Sequence, residues 1–393
     1  MLLNIKLYKL NQIMETKIYC PSMWKSVHVD TDGYLTPCCL FIHGEDKKTK
    51  ITDVETTIAD TLINEFAEYR EQLSNGVWPS GCNQCKFAEE EGRSSKRQQD
   101  MWVIHGGLMR TYPEKVNLEY LQLKTGRLCN LRCTICTPSC STSIAVDLLK
   151  KGEITKDYYN KLENEIAWSY DIEQYKKMNP SEEGYFRIDI AGGEPLMNKT
   201  HFEWLDQIPD PSNTQLLYNT NGTQRPSRKE IDIWKKFRGI WLTFSIDSYG
   251  DKFEALRVGA NWEQVIENLK YCQEEIIAKE FNSDTSNCSI VMTVSKFNVK
   301  DVFTLYDIIT KNITFNHKDP LNFNYLFYPE HMACHSMPKD EIAEVIKLYE
   351  ENIPLLPPDT KMRKQCEDLK NSLITFLDDK VVEHDRPSGP DHR

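Results

Sequence analysis

The chain has 393 residues, long enough for two or three domains, with 40% hydrophobic and 27% charged residues, a globular composition. The net charge of −11 argues against a chain-wide nucleic-acid surface and leaves room only for a local basic patch. The apolar runs are short (LTFSI, SIVM), so none reaches the roughly 20 residues of a membrane span. The opening MLLNIKLYKLNQI, with scattered lysines and no small-residue cleavage site, does not read as a signal peptide. A cytoplasmic chain with no membrane partner is expected.

In chain order, residues 1–15 form a leader segment ahead of a Cys-, Gly- and Trp-punctuated region over 16–100. There WKSVHVDTDGYLTP predicts a hairpin turning at Asp32-Gly33, which brings together its flanking Cys20 and Cys38. Leu62, Phe66, Tyr69 and Leu73 recur at helical spacing. WPSGCNQC places Cys82 and Cys85 in a tight two-ligand turn. EEEGRSSKRQQ, mixing three acids with three bases, reads as a solvated helix surface, and Trp24, Trp78 and Trp102 read as packing around this small region.

Residues 116–330 change character. Strands are predicted at LEYLQLKT, YFRIDIAG, TQLLYNTN, IWLTFSID, NCSIVMTV and LNFNYLFY. Helices are predicted at TSIAVDLLKK, KLENEIAWSYDIEQYKKM, SRKEIDIWKKF, NWEQVIENLKYCQEEIIAKE and VKDVFTLYDIIT. Six strands alternating with helices imply an α/β fold with parallel pairing and crossover connections. Residues 331–381 add two helices, the second with Met362, Cys366, Leu369, Leu373 and Phe376 on one stripe, and 382–393 read as a disordered tail.

Nine of the thirteen cysteines lie before residue 141: Cys20, Cys38, Cys39, Cys82, Cys85, Cys129, Cys133, Cys136 and Cys140. Clustered cysteines in a large, apparently cytosolic chain point to metal rather than to a disulfide scaffold. The scattered Cys272, Cys288, Cys334 and Cys366 read as small buried hydrophobes. The unusual residues follow the strands: GRLCNLRCTIC after the first, AGGEP after the second, NTNG after the third, SIDS after the fourth. In parallel α/β barrels functional groups gather at those carboxyl ends.

Cys129, Cys133 and Cys136 form C-x3-C-x2-C, and three soft thiolates in one loop suit three irons of a [4Fe–4S] cube. Spacing alone also admits zinc, with Cys140 as a fourth ligand. Cys20, Cys38, Cys82 and Cys85 make a second set that fits a zinc site or a full [4Fe–4S] site, with Cys39 able to substitute for Cys38.

C-x3-C-x2-C after the first strand, with GGEP after the second, resembles the radical S-adenosylmethionine (SAM) superfamily over about residues 116–330. The resemblance implies a partial (β/α)6 barrel in which SAM chelates the unique iron and is cleaved reductively to a 5′-deoxyadenosyl radical that abstracts hydrogen from substrate. It implies that Gly192, Gly193, Glu194 and Pro195 contact the methionine amino group, and that Asn219, Thr220 and Asn221 lie near the cofactor. Ser245 and Asp247 would meet the SAM carboxylate or ribose, and Arg257 would pair with that carboxylate. C-x12-G-x4-C followed by C-x2-C resembles the SPASM/twitch auxiliary-cluster domains, in the shorter twitch form with one [4Fe–4S] cluster. Such a domain usually follows the barrel; here it precedes it, as in twitch-containing radical SAM proteins of phages and bacteria.

The resemblance implies an electron donor such as flavodoxin or ferredoxin. It implies a small polar substrate, a sugar or nucleotide, or else a peptide as in the radical SAM maturases of ribosomal peptides. No winged leader-binding segment is evident, which favours a small molecule. The reading from a different class is a zinc-binding interaction protein without catalysis.

Overall fold

The computed structural model describes residues 18–42, 49–90, 94–107, 111–166, 169–180, 184–326 and 329–377. The expected leader segment, the tail and Glu91–Arg93 lie outside them. Among the described residues the strands are β1 (Ser26–Val29), β2 (Leu35–Thr36), β3 (Tyr120–Lys124), β4 (Arg132–Cys133), β5 (Arg187–Ala191), β6 (Gln215–Thr220), β7 (Gly239–Ser245), β8 (Arg257–Val258), β9 (Asn287–Val294) and β10 (Leu321–Tyr325). Every one of the six expected strands is present, alternating with helices, so the fold is α/β with mostly parallel pairing. The described residues divide into two compact units. The first comprises the described residues within 1–129, 138–217 and 227–238; the second comprises those within 130–137, 218–226 and 239–393.

In the first unit β1 and β2 form the expected antiparallel hairpin, His28 opposite Thr36 and Val29 opposite Leu35. Gly33 takes the turn at φ +82°, a left-handed conformation that glycine adopts without a Cβ penalty. Asp30 Oδ1 accepts from the Asp32 and Tyr34 N–H groups and closes the loop. β1 then pairs in parallel with β3, and β3 with β5, so the Cys-rich hairpin is part of the same sheet as the first α/β strands. One face of this sheet is aliphatic: Val27, Val29, Leu121, Leu123, Ile188 and Ile190 are buried. The other face carries Gln122, bonded to Ser26 Oγ at 3.0 Å, and Tyr120, whose hydroxyl donates to Asp189 at 2.6 Å.

The expected helix over 161–178 is two helices, Lys156–Ile166 and Ile172–Lys176. Asp171 starts the second with a capping box to Gln174, which a continuous helix cannot contain. The amphipathic stretch at Leu62–Leu73 likewise divides into Ile58–Asn64 and Ala67–Ser74.

In the second unit β7, β9 and β10 pair in parallel. Leu242, Phe244, Cys288, Ile290, Met292, Leu321 and Phe323 form its buried apolar face, while Thr243, Ser289, Thr293 and Asn324 stand opposite. β4 and β8 make a separate two-residue antiparallel pair. The helices Lys339–Asn352 and Lys361–Leu377 are as expected, and Met362, Cys366, Leu369 and Leu373 are buried. Cys272, Cys288, Cys334 and Cys366 are buried, as expected of small hydrophobes. Among the described residues, no helix is long and apolar enough to cross a membrane.

Candidate functional site

The hairpin sets Cys20 and Cys38 near each other, and a 3-10 turn (Ser80–Cys82) running into the helix Asn83–Glu90 sets Cys82 and Cys85 one turn apart. All four cysteines line one cavity, together with Lys96 and Arg97. Gly81 makes the approach possible: a Cβ there would strike the Phe41 ring and the Ile42 carbonyl. Cys39 is exposed and is not among the cavity's lining residues. Burial pushes the Cys20 thiol up to about 12, with the Asp100 charge adding to it, and burial raises Cys38, Cys82 and Cys85 as well. Coordination of a soft metal would displace the thiol protons.

In the charged stretch following Cys85, Glu89, Lys96 and Arg97 turn away from solvent. Arg97 donates to both Glu89 oxygens, at 2.8 and 2.5 Å, and to the Tyr19 carbonyl, with Trp78 beneath it at 5.5 Å. Lys96 pairs with Asp100 at 2.8 Å, and Asp100 accepts from Ser22 at 2.6 Å. The cations therefore turn inward, toward the cysteines, because each has a partly buried carboxylate to meet. Trp24 stacks on Tyr112, while Trp102 is exposed rather than packed.

Further along the first unit, the Cys129 N–H donates to Thr142 Oγ1, and its carbonyl accepts from Thr142 and Ser143 at the start of the helix Thr142–Lys151. Arg127, two residues earlier, is 1% exposed; it donates to the Ser139 and Leu162 carbonyls and forms an ion pair with Asp32 of the hairpin turn. Sequence reasoning missed this clamp, because nothing in GRLC distinguishes a buried arginine from a solvated one. Cys140 is half-buried, its sulfur 4.0 Å from Ser139 Oγ.

The GGEP turn docks on the same loop. Gly193 N–H donates to Gly126 O at 2.9 Å and Glu194 N–H to Leu128 O at 2.7 Å. Gly192 sits at φ +131°, and a Cβ on Gly193 would collide with the Leu128 carbonyl. The close approach these glycines permit is thus to the backbone leading into Cys129. Glu194 is fully buried with Oε1 accepting from Leu196 N–H, and Pro195 begins the following 3-10 turn.

In the second unit, Cys133 lies in β4 and Cys136 N–H donates to Cys133 O at 3.0 Å. Asn221 donates to Asn130 Oδ1 at 2.9 Å and accepts from the Thr223 N–H, tying the NTNG turn to the residue after Cys129. Thr220 is buried and accepts from Gly222 N–H; Asn219 is half-buried. Ser245 ends β7, half-buried. Asp247 and Arg257 are brought together at 2.8 Å, and Arg257 also reaches Cys133 Sγ at 3.9 Å. Among the described residues, which include all thirteen cysteines, there is no disulfide, and no three His, Cys, Asp or Glu side chains converge closely enough to hold one metal ion. The donor set, four thiols lining one cavity with Lys96, Arg97 and Asp100, fits iron–sulfur chemistry.

A family model described as the radical SAM superfamily matches residues 123–307, and one for an iron–sulfur cluster-binding domain (SPASM) matches residues 20–86. The chain is 26% identical over 162 residues to the GTP 3′,8-cyclase of Alkaliphilus metalliredigens (strain QYMF), covering 41% of this chain and 44% of the relative. The GTP 3′,8-cyclase of Alkaliphilus oremlandii (strain OhILAs) matches at 26% over 164 residues with the same coverage. The chain thus spans less than half the length of these curated relatives. Among solved structures it is similar to native anSMEcpe with bound AdoMet (14% identity, 62% of this chain and 63% of that one, TM-score 0.36). It is also similar to Streptococcus suis SuiB bound to S-adenosylmethionine (13%, 84% and 67%, TM-score 0.35). The two family matches fall on the two cysteine sets described above, and each domain implies its own group: SAM with a [4Fe–4S] cluster for one, an auxiliary iron–sulfur cluster for the other. Residues 123–307 thus form a radical SAM domain, and the SPASM iron–sulfur domain lies ahead of it in the chain.

Proposed function

We propose that the chain is a radical SAM enzyme in which Cys129, Cys133 and Cys136 hold the SAM-binding [4Fe–4S] cluster and Cys20, Cys38, Cys82 and Cys85 hold the auxiliary one. The observation carrying this is the way the Cys129–Cys136 loop is held: GGEP hydrogen bonds before Cys129, Asn221 on Asn130, and β8 beside Cys133. When bound, cluster and SAM supply reductive cleavage to a 5′-deoxyadenosyl radical that takes a hydrogen atom from substrate. The protein's own part is to supply the three thiols, to anchor the backbone before Cys129 through the GGEP turn, and to hold Asn130, the residue after it, through Asn221.

The substrate proposed is a small polar molecule of the nucleotide or sugar class. Two features support it: the curated relatives are named for a nucleotide, and in each unit taken by itself the strand face opposite the aliphatic one is polar, with Gln122, Lys124, Arg187 and Asp189 in the first and Thr243 and Ser289 in the second. A parallel sheet buried in helices on both sides has no use for such a face. The division into 16–100, 116–330 and 331–381, a flavodoxin- or ferredoxin-type reductant and a cytoplasmic setting belong to the same proposal.

The test is anaerobic reconstitution of the full chain with iron and sulfide. Two clusters per chain, absorbance at about 400 nm and 5′-deoxyadenosine formed under dithionite support the reading. A colourless protein with zinc at both cysteine sets would establish the interaction-module alternative.

A further inference from the structure

Cys133 is constrained from a second direction, within the second unit. β4 lies against β8 in a register that sets Cys133 opposite Arg257, and Thr134 N–H donates to Leu256 O at 2.8 Å. The Arg257 side chain does not extend to solvent; the residue is 8% exposed. Its Nη2 stands 2.8 Å from Asp247 Oδ2, its Nη1 donates to Cys133 Sγ at 3.9 Å, and Nε is buried with no hydrogen-bond partner. Asp247 is itself 3% exposed and anchored by its other oxygen, which accepts from Thr293 N–H at 2.8 Å. A strand of the sheet thus orients a carboxylate, the carboxylate orients a guanidinium, and the guanidinium reaches a cysteine sulfur.

We propose that Arg257, held by Asp247, is a positioning residue that donates to the Cys133 sulfur and sets the reduction potential of the cluster this cysteine would ligate. The inference rests on the iron–sulfur reading above. Hydrogen bonds to ligand sulfur and local net charge are the levers by which a protein tunes such a cluster. Reduction adds negative charge, so a buried cation bonded to the sulfur favours the reduced form. Only arginine suits the position: its planar fork serves carboxylate and sulfur at once, whereas a lysine ammonium is a single point. Asp247 tempers the effect, since it neutralises part of the charge that Cys133 meets.

The two partners therefore act with opposite sign. Arg257→Gln, Arg257→Lys and Asp247→Asn would be made in the full chain, reconstituted anaerobically, assayed for iron and titrated against redox mediators while following the reduced-cluster electron paramagnetic resonance signal that responds to SAM. In Arg257→Gln the reduced-to-oxidised mediator ratio at half-reduction should rise about tenfold, a shift of about 59 mV to more negative potential for one electron. Asp247→Asn should shift the other way, and Arg257→Lys should fall between wild type and Gln. Should Arg257→Gln fail to load iron, the Lys and Asn variants decide the matter. Wild-type midpoints in iron-loaded variants, or shifts of the same sign for Arg257 and Asp247, would overturn the proposal. A wild-type chain that takes up no iron would instead overturn the cluster assignment beneath it.

Discussion

Replacing Gly193 by alanine tests whether the GGEP turn works through the cysteine loop. The added Cβ would lie 2.6 Å from the Leu128 carbonyl carbon and 2.8 Å from that of Arg127. These are backbone atoms, with the Leu128 carbonyl oxygen nearer still, so no rotamer relieves the overlap, and the two loops must part by about 1 Å to restore ordinary contact. Parting them stretches the 2.9 Å and 2.7 Å hydrogen bonds from Gly193 and Glu194. Losing two such bonds costs about 1–3 kcal/mol, and overpacking adds about 1–3 kcal/mol. We expect about 2–6 kcal/mol of destabilisation by chemical denaturation, with iron falling toward one cluster per chain, because the displaced segment leads directly into Cys129 while the N-terminal cysteines are untouched. Gly107→Ala is the control: its Cβ would meet only Trp102 Cζ3 at 4.0 Å, so a change within about 0.5 kcal/mol is expected. Gly193→Ala with wild-type stability and two full clusters would refute the reasoning.

Cys133→Ala should abolish 5′-deoxyadenosine formation under dithionite while leaving the far-ultraviolet dichroism unchanged; undiminished product would remove this cysteine from the site. Glu89→Gln takes away the carboxylate that Arg97 grips with two hydrogen bonds; about 2–3 kcal/mol of stability should go with it, and the auxiliary iron should be lost before the SAM-site iron. Asp30 is the pH probe. Burial raises its carboxyl from 3.8 to about 6, only partly offset by the Tyr34 N–H and Arg127. A raised folded-state value means that stability is fully present below about 3.8 and declines as pH rises through about 6. Asp30→Asn, which can still accept from Asp32 and Tyr34, should flatten that decline, gaining about 1–3 kcal/mol relative to wild type between pH 4 and 7 in urea titrations. Parallel curves for the two proteins would show Asp30 titrating normally.

The first four α/β strands were legible because each is an apolar-rich run ended by Gly, Asn or Asp, and the hairpin because Asp32-Gly33 admits the left-handed turn. Gly192 and Gly193 were legible as points of close approach, though what approaches is the backbone before Cys129. The break at Ser169–Asp171 was readable in principle, since Asp171 and Gln174 spell a capping box, but the apolar spacing on either side concealed it. Arg127, Arg97 and Lys96 were beyond reach: whether a basic residue turns inward depends on carboxylates such as Asp32 and Asp100, whose proximity is a tertiary fact. The same holds for Arg257, whose carboxylate partner in the fold is Asp247.

The pairing of β1 with β3 has a consequence for how the two iron–sulfur segments depend on each other. Four consecutive residues of β3 find their partners in β1, from Ser26 opposite Tyr120 to Val29 opposite Leu123. A chain begun after residue 100 would present that edge bare: a row of unpaired N–H and C=O groups beside Leu121 and Leu123, both buried in the intact chain. Such an edge recruits other strands, so the shortened protein should aggregate instead of yielding an isolated radical SAM domain. The N-terminal cysteine domain is in this sense a structural wall of its neighbour, whose sheet relies on β1 to cover that edge.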